Sequence, residues 1–130
     1  MSHDLFLAAR KAMSKAYAPY SNFPVGAAIR TSDGRVYSGC NIENASYPEG
    51  WCAETTALGH YVMDGGGEIA EIAVVAERMD RITPCGGCRQ RLAEFSRTDT
   101  KLYLCDQAGV VETVTIGDIL PFAFEGRVLK

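Results

Sequence analysis

The chain has 130 residues, 47% of them hydrophobic and 22% charged, with a formal net charge of −3 and a pI near 5.3. That length suits a single domain spanning 1–130, able to bury roughly two-thirds of its unfolded surface in one core. Scattered Lys and Arg on an acidic chain argue against a nucleic-acid partner, whose phosphates demand a basic stripe. No apolar run approaches the roughly 18 residues of a membrane span, so no membrane partner is expected. Met1-Ser2-His3-Asp4 lacks the basic start and apolar stretch of a secretory signal. Five cysteines, an odd number clustered in short motifs, suit metal better than disulfides, and a reducing cytoplasmic setting is expected.

Residues 4–17 carry Leu5, Ala8, Ala9, Ala12, Met13 and Ala16 at the spacing of one helix face, with Asp4 or Ser2 available as a cap. Tyr17 to Pro24, aromatic and proline-bearing, ends that helix in a loop. Val25 to Arg30 reads as a strand, Asp33-Gly34 as a hairpin turn, and Arg35 to Asn41 as the return strand. Residues 42–51 read as irregular. A second helix fits 52–64, stopped by Gly65-Gly66-Gly67, and Ile69 to Ala76 is apolar enough for a buried strand. Cys85 to Phe95 reads as a third helix, with Leu92 and Phe95 facing the core. Lys101 to Cys105 and Val111 to Thr115 are two more strands, parted by a turn at 106–109, and a short helical turn near 117–120 leads into Pro121 and the tail. That order predicts an α/β fold, one mixed five-stranded sheet with helices on its faces.

Chemistry concentrates in Cys52-Ala53-Glu54 and Pro84-Cys85-Gly86-Gly87-Cys88, each at a helix start. The first turn of a helix offers free N–H groups and a partial positive charge, and both stabilise thiolates. Three sulfurs give Zn²⁺ all but one of the four ligands it prefers, leaving a position for water as in a catalytic site. Glu54, two residues past the first thiol, is placed to handle that water's protons; its plainer reading is a solvated acid at a helix start. Three cysteines with a non-ligand glutamate are the pattern of zinc deaminases. A closed structural zinc would need Cys40, Cys105 or His60 as a fourth ligand, and His60 stands roughly 12 Å along the helix from Cys52. Cys40 and Cys105, flanked by strand-like sequence, read as packing.

Five blocks follow one another over most of the chain: Tyr17-Ala18-Pro19-Tyr20-Ser21-Asn22-Phe23, Gly39-Cys40-Asn41-Ile42-Glu43-Asn44-Ala45-Ser46-Tyr47, Cys52-Ala53-Glu54, Pro84-Cys85-Gly86-Gly87-Cys88-Arg89-Gln90 and Leu120-Pro121-Phe122-Ala123-Phe124. In these blocks the sequence resembles the small, homotetrameric, zinc-dependent cytidine deaminases. The resemblance implies a three-layer α-β-α sandwich and one zinc per chain, held by Cys52, Cys85 and Cys88. It implies hydrolysis of cytidine, and of 2′-deoxycytidine, to uridine and ammonia in pyrimidine salvage. Glu54 would carry a proton from water to N3 of cytosine and then to the departing amine. Asn41 and Glu43 would hold the ribose 3′-hydroxyl, with Phe23 beside base and sugar. The Ala53 amide and the Thr83 carbonyl would read the pyrimidine O2 and amino group. Tyr47 and Phe124 would complete a neighbouring subunit's pocket. From residue types alone, Asn41 and Glu43 read as a strand end, and Phe23 and Phe124 as packing.

One position departs from the family, which usually carries Arg directly after the catalytic Glu where this chain has Thr55. Three thiolates outweigh one Zn²⁺, so a nearby cation is expected to balance them. Arg89 is the expected source, in contact with a zinc thiolate; helix N-termini and the Thr55 hydroxyl are the alternatives. Among functions, a blasticidin-type deaminase acting on a cytosine nucleoside antibiotic is the runner-up. A base or RNA deaminase fits the acidic charge less well. A non-catalytic zinc-binding module leaves Glu54 without a use.

Overall fold

Helical spacing of apolar residues sets the first element of the computed structural model, which describes residues 2–79 and 81–129. Helix α1 (Ser2–Met13) buries Leu5, Phe6, Ala9, Ala12 and Met13. It stops at Met13 rather than at residue 17, where the Ser14 hydroxyl donates to the Lys11 carbonyl and the chain turns away. Phe6 lies outside the expected stripe, yet it is buried, with the Arg10 guanidinium 5.2 Å above its ring. Strands β1 (Val25–Thr31) and β2 (Val36–Cys40) form the expected hairpin, and Gly34 takes a φ of +94° that a side chain would resist. The segment 42–51 stays irregular apart from a 3₁₀ turn at Tyr47–Glu49 and isolated pairings of Ile42 with Tyr17 and Trp51.

Next come α2 (Ala53–Met63), β3 (Ile69–Ala76), α3 (Gly86–Phe95), β4 (Lys101–Asp106), β5 (Gly109–Thr115) and α4 (Ile116–Ile119). The last is opened by a capping box between Thr115 and Asp118. The five strands form one mixed sheet in the order β2-β1-β3-β4-β5, antiparallel except for the parallel pair β3–β4. Parallel neighbours need a crossover, and α3 supplies it. Strands β2 and β3 also run the same way, because each pairs antiparallel with β1. Helices α2 and α3, which follow them, therefore start at the same end of the sheet, beyond the C-terminal ends of these strands. Topology alone thus brings the two cysteine motifs together.

Alternation along the strands sends neighbouring residues to opposite faces. Ala27, Ile29, Ile72, Val74, Leu102 and Leu104 pack with Ala57, Leu58 and Tyr61 of α2 and Leu92 of α3. On the other face Ala28, Ala73, Val75, Tyr103 and Cys105 pack against Leu5, Phe6, Ala9 and Met13 of α1. The result is a three-layer α-β-α sandwich. Two glycines permit the close contact of its layers. A β-carbon on Gly26 would lie 2.0 Å from the Ala9 carbonyl oxygen, and one on Gly39 2.5 Å from the Ala57 amide. Phe95 corrects an expectation. It is exposed, meeting the Tyr61 ring edge-on at 5.7 Å, so of the two only Leu92 belongs to the core.

Candidate active site

The two motifs meet at the N-termini of α2 and α3. Cys52 and Cys85 occupy the N-cap positions, and neither side chain is spent on capping its helix. Cys88 is the third residue of α3 and is fully buried, whereas Cys52 is half-buried and Cys85 exposed. The three sulfurs lie within 4.8 Å of one another, with Cys52 and Cys85 3.9 Å apart. Tetrahedral zinc with bonds of about 2.3 Å sets its sulfurs about 3.8 Å apart, so this donor set fits the ion. Hydrogen bonding with Cys88 lowers the Cys52 thiol, while that same bond and burial raise Cys88. Among the described residues this cluster has three members. His60 is exposed further along α2, Cys105 lies in the core beneath α1, and Cys40 donates to the Lys15 carbonyl at 3.6 Å.

Beside the sulfurs lies a cleft of about 280 Å³, which gathers Asn41, Glu43, Ala53, Glu54 and Thr83 with Cys52 and Cys85. Glu54, the second residue of α2, is only 5% exposed. Burial pushes its carboxyl above the ordinary carboxylate range, and its own backbone amide, then the positive charge of Arg91, partly oppose the shift. A carboxyl so placed exchanges protons closer to neutrality than an exposed one. Ala53 opens α2, so its amide has no intrahelical acceptor and is available to a ligand.

Asn41 and Glu43 pin the mouth of this cleft. The Asn41 side chain accepts from the Val25 amide and donates to the Phe23 carbonyl, both at 2.9 Å, tying the aromatic loop to β1. Glu43 accepts from the amides of Tyr20 (2.9 Å) and Ser21 (3.1 Å) and from the Ser21 hydroxyl. The Ser21 hydroxyl chiefly, with these amides, holds its carboxyl below the usual value of 4.5. Phe23 is tethered here through its carbonyl but is not among the lining residues. Tyr47 stands 74% exposed beside a neighbouring hollow that also contains Tyr20, Ser21 and Glu43. Phe124 is 62% exposed on the C-terminal segment, its carbonyl accepting from the Gln90 amide at 3.1 Å. Neither reaches the cleft of its own chain.

The expectation for Arg89 is overturned. Its guanidinium donates to the carbonyls of Pro84 (2.8 Å) and Ile119 (3.0 Å), fastening the loop before α3 to the end of α4. Arg91 reaches the Cys88 sulfur instead, with Nη1 at 3.8 Å, and the Thr55 hydroxyl contacts the same sulfur at 3.8 Å. The physical reason is helical: residues three apart share a face, whereas adjacent residues do not. That offset from Cys88 is the signal in the sequence that points to Arg91.

Residues 1–105 match the family described as the cytidine and deoxycytidylate deaminase zinc-binding region. The chain belongs to this deaminase family. Within it, the chain is similar to the cytidine deaminase of Sporosarcina psychrophila, 45% identical over 92% of this chain and 88% of the other. It is similar to the cytidine deaminase of Mycobacterium tuberculosis H37Rv at 41% identity, over 89% and 84% of the two chains. Its fold is similar to the crystal structure of a cytidine deaminase from Burkholderia pseudomallei, with a TM-score of 0.90 and 49% identity over 95% of this chain and 99% of that one. Membership in this family gives the three sulfurs a metal, zinc, that their spacing already fits.

Proposed function

We propose that this chain, a single domain over 1–130, hydrolyses cytidine and 2′-deoxycytidine to uridine or 2′-deoxyuridine and ammonia. The observation that carries the reading is the convergence of three sulfurs, a buried carboxyl and a pair of polar anchors on one cleft. Cys52, Cys85 and Cys88 hold one zinc, which supplies Lewis acidity that draws the pKa of water toward neutrality. Glu54 takes a proton from the attacking water and delivers it to N3 of the pyrimidine, making C4 electrophilic. It then takes the proton of the C4 hydroxyl and hands it to the amine as the C4–N bond breaks and the C4 carbonyl forms, so one carboxyl serves as base and then acid. The Ala53 amide donates to the pyrimidine O2, and the Thr83 carbonyl accepts from the amino group. Asn41 and Glu43 hold the ribose 3′-hydroxyl, using capacity left over from their bonds to the loop, and the aromatic ring of Phe23 packs near base and sugar. A carboxylate at Glu43 also repels a 3′-phosphate, which favours a free nucleoside and argues against nucleic acid.

The chain works as a homotetramer in the cytoplasm, in pyrimidine salvage. A groove between α2 and α3 supports assembly, since Val62, Phe95 and Met63, the last 88% exposed, present apolar surface there. Exposed Tyr47 and Phe124 are then available to neighbouring pockets. Among the described residues no helix is long and apolar enough to cross a membrane. The test is ultraviolet absorbance of zinc-quantified protein with cytidine, beside a Glu54→Gln variant. Wild type converts cytosine to uracil, whereas the variant keeps its zinc and loses about 100-fold or more in kcat. Zinc-loaded wild type that leaves cytidine unchanged, yet turns over a cytosine nucleoside antibiotic, transfers the reading to the blasticidin type.

A further inference from the structure

We propose that Arg91, together with Thr55, is a positioning residue of the zinc site that acts through the sulfur of Cys88. The inference rests on the three cysteines being the zinc ligands. Three thiolates around a dication keep a net negative charge, and Glu54 buried beside them adds to it when ionised. Cys52 and Cys85 sit at N-caps, where the helix dipole offsets that charge. Cys88 lies deeper and is fully buried, so its sulfur most needs a partner. Among the described residues, two side-chain donors converge on this sulfur: the Arg91 guanidinium and the Thr55 hydroxyl, each at 3.8 Å.

Local geometry makes the arrangement specific. Arg91 follows Cys88 by three residues on the same helical face, and helical side chains lean back toward the N-terminus. Gly87, one turn before Arg91, lies against the guanidinium, where a β-carbon would sit 3.3 Å from Nη1. Donors behind a metal ligand fix its orientation and tune the metal, and losing one typically costs about 10–100-fold in affinity or activity.

The experiment compares zinc-loaded wild type with Arg91→Met and Arg91→Lys. It measures zinc transfer to a chromophoric chelator and the thiolate-to-metal charge-transfer band of the cobalt-substituted proteins. Arg91→Met is expected to surrender zinc about tenfold faster or more, with that band moved to lower energy because the sulfur has lost a donor. Arg91→Lys falls between, keeping the charge without the planar fork. The melting temperature of the metal-free protein stays unchanged, because Arg91 is an exposed residue. Equal chelation rates and bands in wild type and Arg91→Met overturn the proposal, as does faster release accompanied by an equally destabilised metal-free protein. Wild type that takes up no zinc refutes instead the reading of the cysteines.

Discussion

Replacing Gly39 by alanine perturbs the site without touching a functional group. Gly39 lies on β2 under the first turns of α2. A β-carbon there would lie 2.5 Å from the Ala57 amide nitrogen, 2.7 Å from the Ala53 carbonyl oxygen and 2.7 Å from Thr56 Cβ. Non-bonded carbon needs about 3.5 Å or more, so α2 must rise by about 1 Å. Overpacking of this kind costs about 1–3 kcal/mol. The upper end is expected here, because two of the three obstructing atoms are backbone and cannot rotate away. The displaced turn carries Cys52 and Glu54, and a misplacement of about 1 Å at a reacting group costs about 100-fold in rate. Urea unfolding and kcat per bound zinc are the assays. Gly26→Ala is the control. Its clash with the Ala9 carbonyl is closer still but lies on the face covered by α1. It is expected to cost at least as much stability while leaving kcat per zinc-loaded chain within about threefold. Wild-type kcat in Gly39→Ala would refute the coupling between sheet contact and site, and wild-type stability would refute the close packing itself.

Three further outcomes are expected. Phe6→Ala empties a fully buried position beneath α1 and should cost about 3–5 kcal/mol in denaturant unfolding with kcat unchanged. Asn41→Ala leaves the Val25 amide without its acceptor and frees the Phe23 carbonyl. A loss of about 1–3 kcal/mol and a raised KM for cytidine should follow, and an unaltered KM would count against Asn41 as an anchor. Glu43 titrates below 4.5 chiefly because of the Ser21 hydroxyl. A carboxyl depressed in the folded state contributes stability that is fully present above 4.5 and fades as the pH falls through its lowered value. Ser21→Ala should move the Glu43 titration, followed by carbon NMR of the carboxyl, upward toward 4.5. An unmoved titration contradicts that assignment.

Much of this protein is determined locally. Asp33-Gly34 between apolar alternations made the hairpin legible, because the turn that closes from Thr31 onto Gly34 ends in a positive φ that glycine accepts without strain. The chemistry of Cys52-Ala53-Glu54 and of Cys85 with Cys88 was legible for a similar reason: thiolates and a carboxyl at helix starts meet the same free amides in any fold. Boundaries fared less well. The apolar face of α1 continues past Met13 in the sequence, yet the helix ends there because the chain must turn to pair Tyr17 with Ile42. Phe95 has the spacing of a core residue, but its ring meets Tyr61 of α2 edge-on and stays exposed.

Only the tertiary structure decided which residues meet. The sulfur of Cys52 reaches that of Cys85 because β2 and β3 both run antiparallel to β1, which starts α2 and α3 at one end of the sheet. Strand order is a long-range property, and residue spacing along the chain does not encode it. The same limit governs the charge partner of the thiolates. Arg89 and Arg91 are both cations just past Cys88, and the three-residue offset of Arg91 favours it without fixing what either side chain touches. The turn of α3 sends one to the carbonyls of Pro84 and Ile119 and the other back over the buried sulfur. What chemistry the site offers was written in its residue types; which side chain serves which atom was settled by how the helices pack on the sheet.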